Sequence, residues 1–81
     1  MSEQDIQAQI IKQLRARGWY VIKLMRTNIV GIPDLIAIYK GVAMFIEVKT
    51  AKGVVSPIQK YVIKQIRKQG MRVLIMRGKF N

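Results

Sequence analysis

Gly31-Ile32-Pro33-Asp34-Leu35-Ile36-Ala37-Ile38, followed after a short gap by Phe45-Ile46-Glu47-Val48-Lys49, decides how this chain is read. Two carboxylates and one ammonium stand inside runs that are otherwise apolar and β-prone. Charge in such surroundings is costly unless it is paired or holds a metal. In a strand, side chains alternate between two faces. Met44, Ile46 and Val48 then share one face, and Ala43, Phe45, Glu47 and Lys49 the other. A hairpin at Lys40-Gly41 folds the first run back along the second and brings Asp34 beside Glu47. Two carboxylates with a neighbouring ammonium suit a divalent cation and an anionic substrate.

The rest of the composition narrows the chemistry. With 81 residues, residues 1–81 are expected to form a single domain. A chain this short buries a modest share of its surface, so self-association is an expected supplement to its stability. There is no cysteine and no histidine. Disulfides, thiolate metal sites, the usual zinc ligands and a serine–histidine–aspartate triad are excluded. A bound metal must accept oxygen ligands, which points to Mg²⁺ or Mn²⁺. Fifteen Lys and Arg against four Asp and Glu leave a net charge of +11, which favours a polyanionic partner. No apolar run reaches the length of a membrane span, and no signal-peptide pattern opens the chain. A soluble, intracellular protein is expected.

Outward from the two runs, the chain reads as α-β-β-β-α-β. Ser2-Glu3-Gln4-Asp5 starts a helix, with Ser2 as N-cap and Asp5 closing a capping box. Ile6, Ile10 and Leu14 continue it at helical spacing, and Gly18 stops it. At about 100° per residue Glu3 falls on the arc of Ile6, Gln7, Ile10 and Leu14, so it either serves a site or only favours the helix dipole. Trp19 to Met25 reads as a strand, within which Lys23 either reaches the site or snorkels at an edge. Arg26 lies in the following loop, within reach of a phosphate. Leu35 to Tyr39 is apolar on both faces, as in the middle of a sheet. Val42 to Lys49 returns after the turn, and Thr50-Ala51-Lys52-Gly53 forms a basic connection in which Lys52 suits a backbone phosphate. Ser56-Pro57-Ile58-Gln59 opens a second helix: N-cap, proline in the first turn, and glutamine at the capping-box position. Ile58, Tyr61, Val62 and Ile66 are expected to be its buried stripe, with Lys60, Lys64, Arg67 and Lys68 on a basic outer face that either tracks phosphates, Lys60 and Lys64 being the DNA-binding candidates there, or is only solvated. Met71 to Met76 is the last strand, and Gly78-Lys79-Phe80-Asn81 a short tail.

Phosphodiester hydrolysis needs a nucleophilic water, stabilisation of charge in the transition state, and relief for the leaving oxygen. A divalent cation held by Asp34, Glu47 and the backbone carbonyl of Val48 can activate water and polarise phosphate. Lys49 can orient that water as a base or neutralise developing charge as a cation, and both roles stay open.

These residues resemble a known family. Pro33-Asp34 followed by Glu47-Val48-Lys49 is similar to the PD-(D/E)xK nuclease signature. More narrowly, the chain resembles a stand-alone VRR-NUC domain, the virus-type replication-repair nuclease module. The resemblance rests on Glu3, Gly31-Ile32-Pro33-Asp34-Leu35-Ile36-Ala37, Ile46-Glu47-Val48-Lys49 and Ser56-Pro57-Ile58-Gln59, and covers essentially the whole chain. A PD dipeptide or an ExK triplet alone is weak; the ordered set is strong. The resemblance implies a restriction-endonuclease-like αβββαβ core, an α/β fold with a mixed central sheet flanked by helices. It implies a Mg²⁺- or Mn²⁺-dependent DNA endonuclease with Asp34 and Glu47 as metal ligands and Lys49 as the catalytic lysine. Glu3 would assist through water, and Gln59 would sit near the site unless the helix cap occupies it fully. It also implies a homodimer acting on branched DNA, Holliday-junction-like or flapped, in a phage or prophage setting and hence a host cytoplasm.

Two rival readings remain at this level. A non-catalytic basic DNA-binding module shares the charge and the fold, but gives no reason to keep Asp34, Glu47 and Lys49 in apolar strands. A basic membrane-surface or ribosomal protein leaves the same carboxylates without partners.

Overall fold

The computed structural model describes residues 1–78, so Lys79, Phe80 and Asn81 of the expected tail lie outside the described residues. Helix α1 spans Glu3–Ala16 and is followed by strands β1 (Tyr20–Lys23), β2 (Leu35–Tyr39) and β3 (Val42–Val48). Helix α2 (Pro57–Lys68) and strand β4 (Arg72–Met76) complete the order. The four strands form one sheet in the order β1-β2-β3-β4, antiparallel except for the β3–β4 pair. That mixed sheet, with a helix on each face, is the restriction-endonuclease-like architecture expected from the sequence.

Both helices start where their sequences say. Ser2 Oγ accepts the Asp5 N–H at 3.1 Å and Asp5 Oδ2 accepts the Ser2 N–H at 3.2 Å. The reciprocal pair at α2 is made by Ser56 and Gln59, with proline in the first turn. The β2–β3 hairpin turns at Lys40 and Gly41, both at positive φ (46° and 82°), the two-residue geometry that matches strand twist. Its register pairs Tyr39 with Val42 and Leu35 with Ile46. One step further along the same register stand Asp34 and Glu47.

The alternation of β3 sorts the core into two layers. Met44, Ile46 and Val48 join Leu35, Ala37 and Val21 against Ile6, Ile10 and Leu14 of α1. On the opposite face Phe45 packs with Val55, Ile63 and Val73 under α2.

Three expectations need correction. Strand β1 is shorter than Trp19–Met25, because the Trp19 N–H is taken by the Leu14 carbonyl at 3.1 Å and its ring packs on Tyr39. Lys49 falls just past β3, although its N–H still donates to the Met76 carbonyl at 3.0 Å. The buried stripe of α2 is Val62 and Ile63, with Ile66 partly covered, whereas Ile58 and Tyr61 stay 47% and 60% exposed. Helix α2 rests on β4 rather than over the middle of the sheet. Ile58 comes close to Gly31 in the loop between β1 and β2, and α2 leaves the β1–β2 half of that face open.

Candidate active site

Each candidate carboxylate is held by the chain around it. The Asp34 carbonyl accepts the Leu24 N–H at 2.8 Å, extending the β1–β2 pairing by one residue. Its side-chain Oδ2 accepts the Val48 N–H, also at 2.8 Å, so Asp34 is fixed across the hairpin at the end of β3. N–H and C=O of one strand residue project to the same edge. The Val48 carbonyl therefore lies on the Asp34 side, where the sequence reading wanted an oxygen donor.

Glu47 is 2% exposed and Lys49 8%. Lys49 Nζ stands 3.4 Å from Glu47 Oε2, and Gln59 Nε2 donates to the same oxygen at 3.2 Å. Glu47 Oε1 is outside both contacts. Burial, then the negative charge of Asp34, pushes Glu47 from its ordinary 4.5 up to about 7, against the opposing pull of Lys49. Glu3 adds a small upward push, which puts its charge within range of the site.

Gln59 resolves the choice between cap and site by doing both. Its Oε1 accepts the Ser56 N–H at 2.9 Å while its Nε2 reaches Glu47. An amide can accept through oxygen and donate through nitrogen at once. Helix α2 is thus tied at its first turn to the buried carboxylate.

Glu3 lines a cleft of about 290 Å³ together with Gln7, Lys23, Leu24, Met25 and Asp34. Lys23, exposed at the end of β1, lines the cleft that Asp34 also lines. Gln7, one helical turn beyond Glu3 on the same arc, was visible in the sequence as an i, i+4 neighbour but carried no role there. The other basic candidates do not converge. Arg26 is exposed in the loop past Met25 and lines no part of this cleft. Lys52 sits in a separate cleft beside Thr50 and Arg77, whose guanidinium donates to the carbonyls of Thr50 and Gly53. Lys60 and Lys64 lie along α2, on a groove toward β4.

A strand pair presenting Asp34 and Glu47, with Lys49 two residues on, is the arrangement of a PD-(D/E)xK site, and the family model of the VRR-NUC domain matches residues 1–80. The chain belongs to the VRR-NUC family. A solved structure titled VRR_NUC domain superposes on it with a TM-score of 0.86 at 28% identity, covering 96% of this chain and 87% of that one. No curated protein matches the chain. The fold of this VRR-NUC chain is that of a nuclease.

The donor set of the VRR-NUC site is compatible with a hard divalent cation. Two adjacent carboxylates and a backbone carbonyl offer oxygen only. Burial first, and the charge of Asp34 second, raise Glu47, and a bound cation would offset both. Among the described residues no group of three Asp, Glu, His or Cys side chains gathers closely enough to hold a metal. Glu3 thus stands further off. Two protein carboxylates, with water and phosphate filling the remaining positions, suit Mg²⁺ in particular.

Proposed function

We propose that this VRR-NUC chain is a metal-dependent DNA endonuclease that hydrolyses phosphodiester bonds, selects branched over linear DNA, and works as a homodimer. The observation that carries the reading is the buried Lys49–Glu47 pair beside Asp34 at the end of β3. A structural ion pair does not need the second carboxylate, which raises the cost of burying the first.

Asp34, Glu47 and the Val48 carbonyl would hold Mg²⁺ or Mn²⁺. When bound, that ion supplies Lewis-acid polarisation of the phosphate and lowers the pKa of water. The other work belongs to the chain. Gln59 and Lys49 converge on Glu47 Oε2 and fix the carboxylate rotamer. Lys49 is the group placed to orient the attacking water and offset charge developing on the phosphate oxygens. The Val48 N–H orients Asp34. Glu3, at the entrance of the cleft, can accept a hydrogen bond from water there. Arg26 and Lys52, outside the cleft, are candidates for contacts with more distant phosphates.

The homodimer has a specific surface in its favour. Tyr20, Ile22, Ile36 and Ile38 share the sheet face that α2 leaves open, and Ile58 and Tyr61 flank it. None of the six is charged, in a chain of net charge +11. Two such chains repel wherever cations face each other, so a neutral, partly aromatic patch of this kind favours close approach of a second copy. A two-fold pair would present two sites to two strands of a junction.

The test is cleavage of labelled linear duplex, single strand, flap and four-way junction with EDTA, Mg²⁺ or Mn²⁺. Cutting that needs metal and is lost in Asp34→Ala and Lys49→Ala supports the nuclease; binding without cutting on any substrate turns the reading to a DNA-binding module. Preference for the junction over linear duplex supports the branched-DNA reading, and equal cutting removes it.

A further inference from the structure

A groove of about 590 Å³ runs between α2 and the outer strand β4, outside the carboxylate site. One wall is a row of cations, Lys60, Lys64, Arg67 and Lys68, spaced four, three and one residue apart on a single flank of α2. From Lys60 to Lys68 the row covers about 12 Å at the helical rise of about 1.5 Å per residue. The other feature is an apolar floor that includes Ile63 and Ile75. All four acids of the chain are Glu3, Asp5, Asp34 and Glu47, and none lines this groove. The ion pair between Lys49 and Glu47 involves none of these four cations, and among the described residues no acidic side chain lines the groove to neutralise the row.

We infer that this groove is a second nucleic-acid site, built for a single-stranded segment rather than duplex. Four cations without a counter-charge call for a polyanion. The floor chooses which one. A duplex turns phosphates and sugars outward and keeps its bases stacked inside, so it gains little from an apolar floor. A single strand can lay bases and sugars on Ile75, which is 38% exposed above the buried Ile63, while its phosphates follow the lysines. Arg67 is fixed for this: its Nη2 donates to the Val73 carbonyl at 2.7 Å, which holds the guanidinium over the β4 edge with further N–H donors available.

The groove also begins next to the candidate site. Ile75 is the register partner of Glu47, and Lys60 follows Gln59, whose side chain touches Glu47. A strand leaving the site can pass directly along α2. That connection to cleavage rests on the nuclease reading; single-strand binding in the groove does not.

The experiment is fluorescence anisotropy in EDTA with a labelled oligothymidylate and a duplex of equal length, across a salt series. The chains compared are the wild type, Lys64→Gln/Lys68→Gln and Ile75→Ala. The lysine pair should weaken single-strand binding about tenfold or more and reduce the salt slope by about 1.4, at roughly 0.7 per lost phosphate contact. Ile75→Ala should weaken single strand several-fold and leave duplex binding within error. EDTA suppresses metal-dependent cutting, so the binding outcome is read apart from that of the nuclease reading. Unchanged single-strand affinity in the lysine variant overturns the inference. Equal losses for single strand and duplex in the Ile75 variant overturn it as well, since the floor would then not select. Both lysines and Ile75 are at the surface, and circular dichroism of each variant checks that the fold is intact.

Discussion

Glu47 answers to opposing demands, and its titration should display them. Its folded pKa of about 7 lies above the ordinary 4.5, so the folded chain binds the extra proton between those values. Stability from this group is present below about pH 4.5 and is lost as pH rises through 7, by on the order of 3 kcal/mol at about 1.4 kcal/mol per unit. Urea unfolding of metal-free protein at pH 5 and pH 8.5 should show that loss, and Glu47→Gln should flatten it. Asp34→Asn keeps an oxygen for the Val48 N–H and removes the neighbouring charge. In that variant the Glu47 midpoint, followed by NMR, should fall but stay above 4.5, because burial is the larger cause. A midpoint still at 7 would mean that Asp34 is not felt. Gln59 offers a third handle. Gln59→Glu retains an acceptor for Ser56 but replaces the Glu47 donor with a charge. Cleavage should drop about 10–100-fold, as for other residues that orient a ligand, while Gln59→Ala should add a cap loss of about 1 kcal/mol in thermal unfolding.

At the level of elements, two short connections set the geometry of the site. Lys40 occupies a left-handed position (φ 46°) in the β2–β3 turn, which its side chain tolerates poorly. Lys40→Asn should raise stability by about 0.5–1 kcal/mol in chemical denaturation, since asparagine adopts that conformation more readily. Gly31 shows the opposite constraint. Its φ is +89°, and a Cβ there would meet the Ile58 backbone at 3.2 Å. The loop before Asp34 and the first turn of α2 thus touch through a glycine. Gly31→Ala should cost about 1–3 kcal/mol and lower cleavage, because it pushes Gln59 and Asp34 apart. Hydrogen exchange at the start of α2 would report that separation; unaltered protection there would show the contact to be dispensable. The helix starts, the hairpin and the order of strands were all legible, because caps, turn residues and alternation act over a few residues. The start of β1 was not, since Trp19 is diverted by a carbonyl of α1.

For the whole molecule, the uneven cover of the sheet matters most. Helix α2 lies on β4, so one half of that face is packed and the other is left as an apolar surface with Tyr20 69% exposed. Tyr61→Glu, on the flank of the proposed dimer face, should convert a dimer to monomer in light scattering while the circular dichroism spectrum is retained. A wild-type chain that scatters as a folded monomer at the concentration where it cuts would remove the dimer. Among the described residues no helix is long and apolar enough to cross a membrane.

The sequence by itself determined the α-β-β-β-α-β order, the side-by-side projection of Glu47 and Lys49, and the approach of Asp34 across the hairpin. Each follows from periodicity or a two-residue turn, which are local. Tertiary structure alone decided that Gln59 caps its helix and touches Glu47 together, and that Lys23 and Gln7 share the cleft of Glu3 and Asp34. It also decided that Ile58 and Tyr61 face outward. A hydrophobic stripe states which side of a helix prefers contact. Where the helix is set down on the sheet, and so how much of that stripe finds cover, depends on Val62 and Ile63 seating against β4 and on the Gly31 approach, both between residues far apart in the chain.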